Sequence, residues 1–227
     1  MTSLALASAA WIALHRLVAG SRLRGALAEA IGERAFGWLF QAASLAGLLW
    51  LGFAYAAADR GAPLWNVPRA VDLLQLVLQP AAVFLILAGA ATPNPGTFRQ
   101  EAVASGPSPV QGVLRITRHP FLWGMALASA GHILATPTPR NLLLFGALLV
   151  TGLAGTASID RKRRRTIGHD WSVFADQTSN VPFAAILAGR QTLRFREFKP
   201  AVLAAAAGVS LLLALAHRWL FGAPAVS

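Results

Sequence analysis

The amino-acid sequence predicts an all-α integral membrane protein, a polytopic bundle of about six transmembrane helices that forms a single domain over residues 1–227. Hydrophobic residues make up 56 % of the chain, charged residues only 13 %, and the mean hydropathy is +0.54. Soluble domains usually carry about 25 % charged residues. The chain contains no cysteine, which excludes disulfides, iron–sulfur clusters and thiolate ligation of a haem.

The apolar segments approach the roughly 20 residues that a helix needs to cross a bilayer. Only residues 137–140, which include two prolines, separate the fourth segment from the fifth, and this spacing predicts a tight helical hairpin. The longest polar stretch is 159–199. The six predicted spans are about 3–20, 37–58, 71–91, 121–136, 141–158 and 200–221.

The basic residues are distributed unevenly among the loops. Of the 20 Lys and Arg residues, all but Arg60, Arg69, Arg140 and Arg218 lie in or beside the loops that follow the first, third and fifth spans. Basic loops stay in the cytoplasm, so this pattern predicts that both termini are outside. The net charge of +11 lies between apolar segments, which favours the lipid bilayer, with its anionic headgroups, over nucleic acid as the partner.

Three of the five histidines, His15, His132 and His217, fall inside predicted spans. Ionisable groups at membrane depth are costly and usually have a partner in the bundle. Helix geometry puts His132 about 16 Å and His15 about 8–10 Å from the cytoplasmic ends of their helices. These depths are compatible with joint coordination of one iron, and the depth of His217 is compatible with its approach to His132. A simple hydrogen bond to each ring is the alternative interpretation.

One face of the fourth predicted helix is polar. Met125, Ser129 and His132 follow each other at spacings of four and three residues, and Arg118 falls on the same stripe. We therefore expect Arg118 and Ser129 beside any cofactor that His132 binds.

The remaining polar residues near this helix are expected to lie outside the buried site. His119 precedes Pro120, a favourable first-turn residue, and is expected at the cytoplasmic mouth of the bundle. Asp160 and Asp170 flank basic residues and are expected to be solvated.

Four stretches together resemble one family. They are "LHRLVAGSRLRGALAEAIGERAFGWLF" (14–40), "RITRHPFLWG" (115–124), "GHILA" (131–135) and "TSNVPFAAILAGRQ" (178–191). The chain from about 14 to 222 is similar to the NnrU family of bacterial membrane proteins, named for an association with nitrite and nitric oxide reduction genes. The plant 15-cis-ζ-carotene isomerases belong to the same superfamily. The resemblance implies a multi-pass protein of the bacterial inner membrane.

In its isomerase branch, the resemblance implies a haem b that isomerises a cis double bond of a hydrophobic polyene without net redox change. The positions that match the iron ligands are His15 and His132, with His217 matching a further histidine of the plant enzymes. Those enzymes have a cysteine three residues before the fourth-helix histidine, where this chain has Ser129. Thiolate exchange at that position is therefore unavailable.

Two other functions remain open from the sequence. "RHP" (118–120) is similar to a motif of membrane methyltransferases that bind S-adenosylmethionine, and "GHDWSVFADQTSNVPF" (168–183) faintly matches their second polar motif without its glutamate pair. The third class is a non-enzymatic membrane factor that supports nitrite or nitric oxide reduction. A haem spectrum separates the first class from the other two.

Overall fold

A computed structural model describes residues 1–18 and 22–222, without the side chain of Arg22, and every regular element in that range is helical. Gly20, where the first predicted span ends, and Ser227 lie outside the described residues. The α-helices are α1 (Thr2–Ala13), α2 (Arg22–Ile31), α3 (Glu33–Ala57), α4 (Arg69–Ala91), α5 (Pro120–Ala135), α6 (Pro139–Thr166), α7 (His169–Gln177), α8 (Ala184–Leu187) and α9 (Pro200–Phe221).

The number of membrane-crossing helices is slightly below the prediction. Among the described residues, α3, α4, α6 and α9 are long and apolar enough to span a bilayer, and α1 with α2 would make a fifth span if the bent pair is counted as one. The 16 residues of α5 rise about 24 Å, which is less than the roughly 30 Å of a hydrocarbon core. The hairpin between α5 and α6 is confirmed, with Thr136–Thr138 as its connection.

Two helices have ends that the apolar pattern did not predict. The helix that begins as α1 widens into a π-helical turn at Leu14–Val18. Helix α6 continues past Ser158 through the basic run to Thr166. Cations are favourable in the last turn of a helix, and the buried Arg163 binds Glu101 and donates to the carbonyl oxygen of Thr97 at 2.6 Å.

The chain divides into two compact units. The first comprises Met1–Pro68 and Ser129–Gly155. In it α1 packs on α3, and the hydroxyl of Ser8 donates to the carbonyl oxygen of Leu143 at 3.0 Å. Its core consists of Leu4, Ala7, Trp11, Leu51, Ala54, Ala58 and Ala147.

The second unit comprises Arg69–Ala128 and Thr156–Ser227. Here α4 packs against α9, and α4 approaches the first half of α5 at two glycines. A Cβ added to Gly89 would lie 2.7 Å from the backbone nitrogen of Phe121, and one added to Gly124 would lie 2.7 Å from the carbonyl oxygen of Ala82. The glycines therefore allow the backbones of α4 and α5 to touch.

The long helices expose apolar side chains that water would not favour. Only 6 % of the apolar window of α9 is buried, and Trp219 on that helix is 88 % exposed. Large contiguous apolar surfaces of this kind indicate contact with lipid. The fold is therefore that of a helical membrane protein.

Candidate functional site

His15 lies on the π-helical turn Leu14–Val18, half-buried between aromatic rings. Its Nδ1 is 2.9 Å from the carbonyl oxygen of Trp11. Since a carbonyl only accepts, Nδ1 carries the proton, and Nε2 keeps its lone pair. The ring lies 4.2 Å from that of Trp11 and 5.5 Å from that of Phe40, centroid to centroid. Metal-binding histidines commonly have this arrangement, with one nitrogen fixed by a carbonyl.

His132 belongs to the same compact unit as His15 and lies near the end of α5. Its ring stacks on Phe145 of α6 with centroids 4.3 Å apart and an interplanar angle of 17°. Phe145 meets the edge of Tyr55 at 6.3 Å. Ser129, one turn before His132, is buried. Each of the two imidazoles of the first unit thus lies against aromatic rings.

The other predicted site residues lie in the second unit. His217 is on α9, with its ring 4.9 Å from that of Phe221. Arg118 precedes α5 and binds an aspartate of the second unit. Among the described residues, no three His, Cys, Asp or Glu side chains gather as a metal site. Haem iron takes at most two axial ligands from the protein, so the histidine pair stays a prediction.

The RHP turn forms a buried polar cluster that the sequence did not predict. Asp160 accepts from Arg118 Nε at 3.0 Å and from Nη2 at 2.5 Å, and its Oδ1 lies 2.6 Å from His119 Nε2. The Asp160 side chain is only 14 % exposed, so the expectation that it is solvated was wrong. His119 is 4 % exposed and belongs to this cluster, so its side chain is buried, while its expected place outside the site of His132 stays a prediction.

The burial of Asp160 and that of His119 have one physical reason. Local sequence places Asp160 among basic residues, but the fold brings Arg118 and His119 from about 40 positions away to satisfy its carboxylate. Burial lowers the pKa of His119, and Asp160 does not reverse this because Arg118 already neutralises that carboxylate. The neutral imidazole therefore donates from Nε2 to Asp160.

Asn180 holds this turn against α6 and α5. Its amide nitrogen donates to the hydroxyl of Thr156 at 3.0 Å, and its amide oxygen accepts from Trp123 Nε1 at 3.1 Å. Its carbonyl oxygen accepts from the hydroxyl of Thr117 at 2.5 Å. The sequence singled out the surrounding segment 178–191 by its resemblance alone, and no local pattern marked Asn180 as a contact of the RHP turn.

A second ion pair fixes the loop before the RHP turn. Arg115 is 8 % exposed and donates from Nε and Nη2 to the two carboxylate oxygens of Glu197, each at 2.7 Å. The same carboxylate accepts from the backbone nitrogen of Gly112 at 2.7 Å. The hydrogen bonds from Arg115 hold the pKa of Glu197 below its ordinary value.

The long apolar helices and the polar clusters define the class, a multi-helix membrane protein. The sequence profile of the NnrU protein family matches residues 3–225, and the chain therefore belongs to the NnrU family.

Two curated relatives are plant enzymes. The chain is 31 % identical over 173 residues to the chloroplastic 15-cis-zeta-carotene isomerase of Arabidopsis thaliana, covering 72 % of this chain and 45 % of the relative. It is 30 % identical over 179 residues to the enzyme of the same name from Zea mays, covering 75 % and 47 %. The chain thus spans about half the length of these relatives. No solved structure matches it significantly.

Proposed function

We propose that this protein is a membrane-bound isomerase that uses haem b to convert a cis double bond of a long hydrophobic polyene to trans. The observation that carries the proposal is the setting of His15, whose Nδ1 is fixed by the carbonyl of Trp11 while Nε2 keeps a lone pair. The similarity to the two plant enzymes, whose names state a 15-cis-zeta-carotene isomerase, supports the choice of reaction.

The residues of the first unit fit a haem by their chemistry. His15 offers an imidazole with a lone pair on Nε2, His132 is a second imidazole of the same unit, and each has aromatic neighbours: Trp11 and Phe40 beside His15, and Phe145 beside His132. Aromatic side chains at such a site limit the access of water to a porphyrin face and favour the uncharged form of the imidazoles. When bound, ferrous haem would supply an iron that interacts with the polyene and lowers the order of one double bond.

The protein itself would supply the ligands of the iron, the orientation of the haem and the route by which the polyene enters. His132 would provide the fixed ligand because its ring is stacked on Phe145 across the α5–α6 hairpin. His15 would be the ligand that leaves, since it lies where α1 changes to a wider turn rather than in a regular helix. The exposed apolar face of α3, in the same unit, would let a polyene approach from the lipid.

The absorption spectrum of the purified protein tests the proposal. Wild type from haem-supplied cells should show a Soret band that shifts on reduction. His132→Ala should lose or strongly shift this band while the yield in the membrane fraction stays the same, and His15→Ala should give a five-coordinate spectrum. The matched control is His169→Ala, because His169 is an exposed residue of α7. His217→Ala tests the alternative ligand.

The outcomes separate ligation from reaction. A wild type that purifies colourless from these cells overturns the haem proposal. A haem-loaded protein that leaves 15-cis-zeta-carotene unchanged, as measured by chromatography of the extracted pigments, overturns the reaction but not the cofactor.

The methyltransferase alternative receives less support from the geometry of the RHP turn. S-adenosylmethionine carries a carboxylate that would need a guanidinium, but Arg118 already binds Asp160 through Nε and Nη2. His119 Nε2 is committed to the same aspartate. Calorimetric titration with S-adenosylmethionine tests this alternative directly, and a colourless protein that also fails to bind it would favour the non-enzymatic membrane factor.

A further inference from the structure

A cavity of about 370 Å³ lies in the second unit, and neither His15 nor His132 lines it. It is bounded by the loop 107–110 on one side and by residues 189–194 on the other. Three arginines line it, Arg115, Arg190 and Arg194, and none of its lining residues is acidic. A concave surface with this lining concentrates positive potential and attracts anions.

The three arginines differ in how far other residues neutralise their charge and use their N–H groups. Glu197 neutralises Arg115 through two hydrogen bonds. Arg190 uses only Nη1, which donates to the carbonyl oxygens of Asp176 and Thr178. Arg194 is 62 % exposed and lies 3.7 Å from the carboxylate that already binds Arg115. The cavity therefore keeps an excess of two positive charges.

Neutral donors complete the lining. Gln191 accepts from Arg115 Nη1 through its amide oxygen at 2.6 Å, which leaves its amide nitrogen to donate. Ser108 and Thr192 add hydroxyl groups. Guanidinium groups with several nearby donors match the geometry of phosphate oxygens.

The position of the cavity indicates which kind of molecule would carry the phosphate group that fits it. Arg194 is six residues before Pro200, where the apolar helix α9 begins. Two apolar side chains flank the arginines in the sequence and are strongly exposed, Leu187 at 86 % and Phe195 at 78 %. Cationic residues interleaved with exposed apolar ones are typical of a segment that lies in the headgroup region of a bilayer.

We propose that this cavity binds the phosphate headgroup of an anionic phospholipid. Arg190 and Arg194 would contact the phosphate, Arg115 and Gln191 would hold the floor of the cavity, and Leu187 and Phe195 would contact the acyl region. The site is independent of haem, and it gives the basic loop before α9 a specific ligand as well as a general attraction to the membrane.

Native mass spectrometry of the purified protein in a neutral detergent tests the proposal by titration with dioleoylphosphatidylglycerol. The double variant Arg190→Gln with Arg194→Gln should raise the dissociation constant about 25-fold, because each arginine near an anionic lipid contributes roughly a factor of five. Arg164→Gln with Arg165→Gln is the matched control. It removes the same charge from two exposed arginines that do not line the cavity.

Arg190 also fixes two carbonyl groups, so the single variant Arg194→Gln gives a separate test with a milder change. It should raise the dissociation constant about fivefold without changing the melting temperature of the lipid-free protein. Equal losses in the cavity variants and in the control would overturn the site. Binding of inorganic phosphate as tight as that of the lipid would overturn the assignment to a membrane lipid.

Discussion

The contact between α4 and α5 predicts that Gly124→Ala destabilises the protein, although alanine normally favours a helix. A Cβ at this position would lie 2.7 Å from the carbonyl oxygen of Ala82 and 2.9 Å from the backbone nitrogen of Ile86. Ordinary van der Waals contact begins at 3.4 Å, so the two backbones would have to separate by about 0.7 Å, the difference between 3.4 and 2.7 Å.

The magnitude follows from two opposing terms. Replacing glycine by alanine inside a helix stabilises it by about 0.5–1 kcal/mol. Overpacking costs about 1–3 kcal/mol, and the upper half of that range applies because backbone atoms cannot rotate away. The net loss is therefore about 1–2.5 kcal/mol. For a chain of this length, such a loss lowers the melting temperature by about 2–10 °C.

Thermal unfolding in detergent, followed by tryptophan fluorescence, measures this effect. The matched control is Gly208→Ala on α9, where an added Cβ meets nothing within 4 Å. Its melting temperature should stay the same or rise by about 2–4 °C. Gly89→Ala should behave like Gly124→Ala, since its Cβ would lie 2.7 Å from the backbone nitrogen of Phe121. If Gly124→Ala and Gly208→Ala shift the melting temperature equally, α4 and α5 are not in backbone contact.

Two further predictions concern acid and topology. Burial lowers the pKa of His119 and Arg115 lowers that of Glu197, so both groups stabilise the fold above their unfolded pKa values, about 6.5 and 4.3. Stability should thus fall in two steps as the pH drops. His119→Gln should lack the first step, and Glu197→Gln should weaken the second, to which Glu101 also contributes because its hydrogen bonds outweigh burial and lower its pKa. Unchanged unfolding profiles would contradict the assignment. The positive loops predict that 160–165 is cytoplasmic and Ser227 external, in the bacterial inner membrane. Alkaline phosphatase fused after Ser227 should therefore be active, and activity there of a reporter that works only in the cytoplasm would refute this topology.

Much of the fold could be predicted because apolar length is a local property. Helices α3, α4 and α9 fall where the runs of Leu, Ala and Val predicted spans, and two prolines marked the α5–α6 hairpin. The π-helical turn at Leu14–Val18 could not be predicted, since "LHRLV" has the composition of an ordinary helix. The extension of α6 was missed because the basic run was assigned to a loop rather than to a helix end.

The polar cluster could not be predicted because its contacts are distant in the sequence. Asp160 has four arginines and a lysine immediately after it, and that composition predicts that its side chain is exposed to solvent. Its partners, Arg118 and His119, come within hydrogen-bonding distance of Asp160 only when the loop before α5 folds onto α6. For Asn180 the signal was the resemblance of its segment, which identified the stretch but not its contacts. The iron ligands His15 and His132 stay predictions.

The span between partners in the ion pairs has a consequence for synthesis at the ribosome. Asp160 follows Arg118 by 42 residues, Arg163 follows Glu101 by 62, and Glu197 follows Arg115 by 82. At about 5–20 residues per second, the last interval lasts about 4–16 s. Until its acidic partner has been synthesised, each arginine keeps an unpaired charge that would favour the predicted cytoplasmic position of the loop. Arg115 is neutralised only after α5 and α6 have been made, because Glu197 follows both helices in the chain.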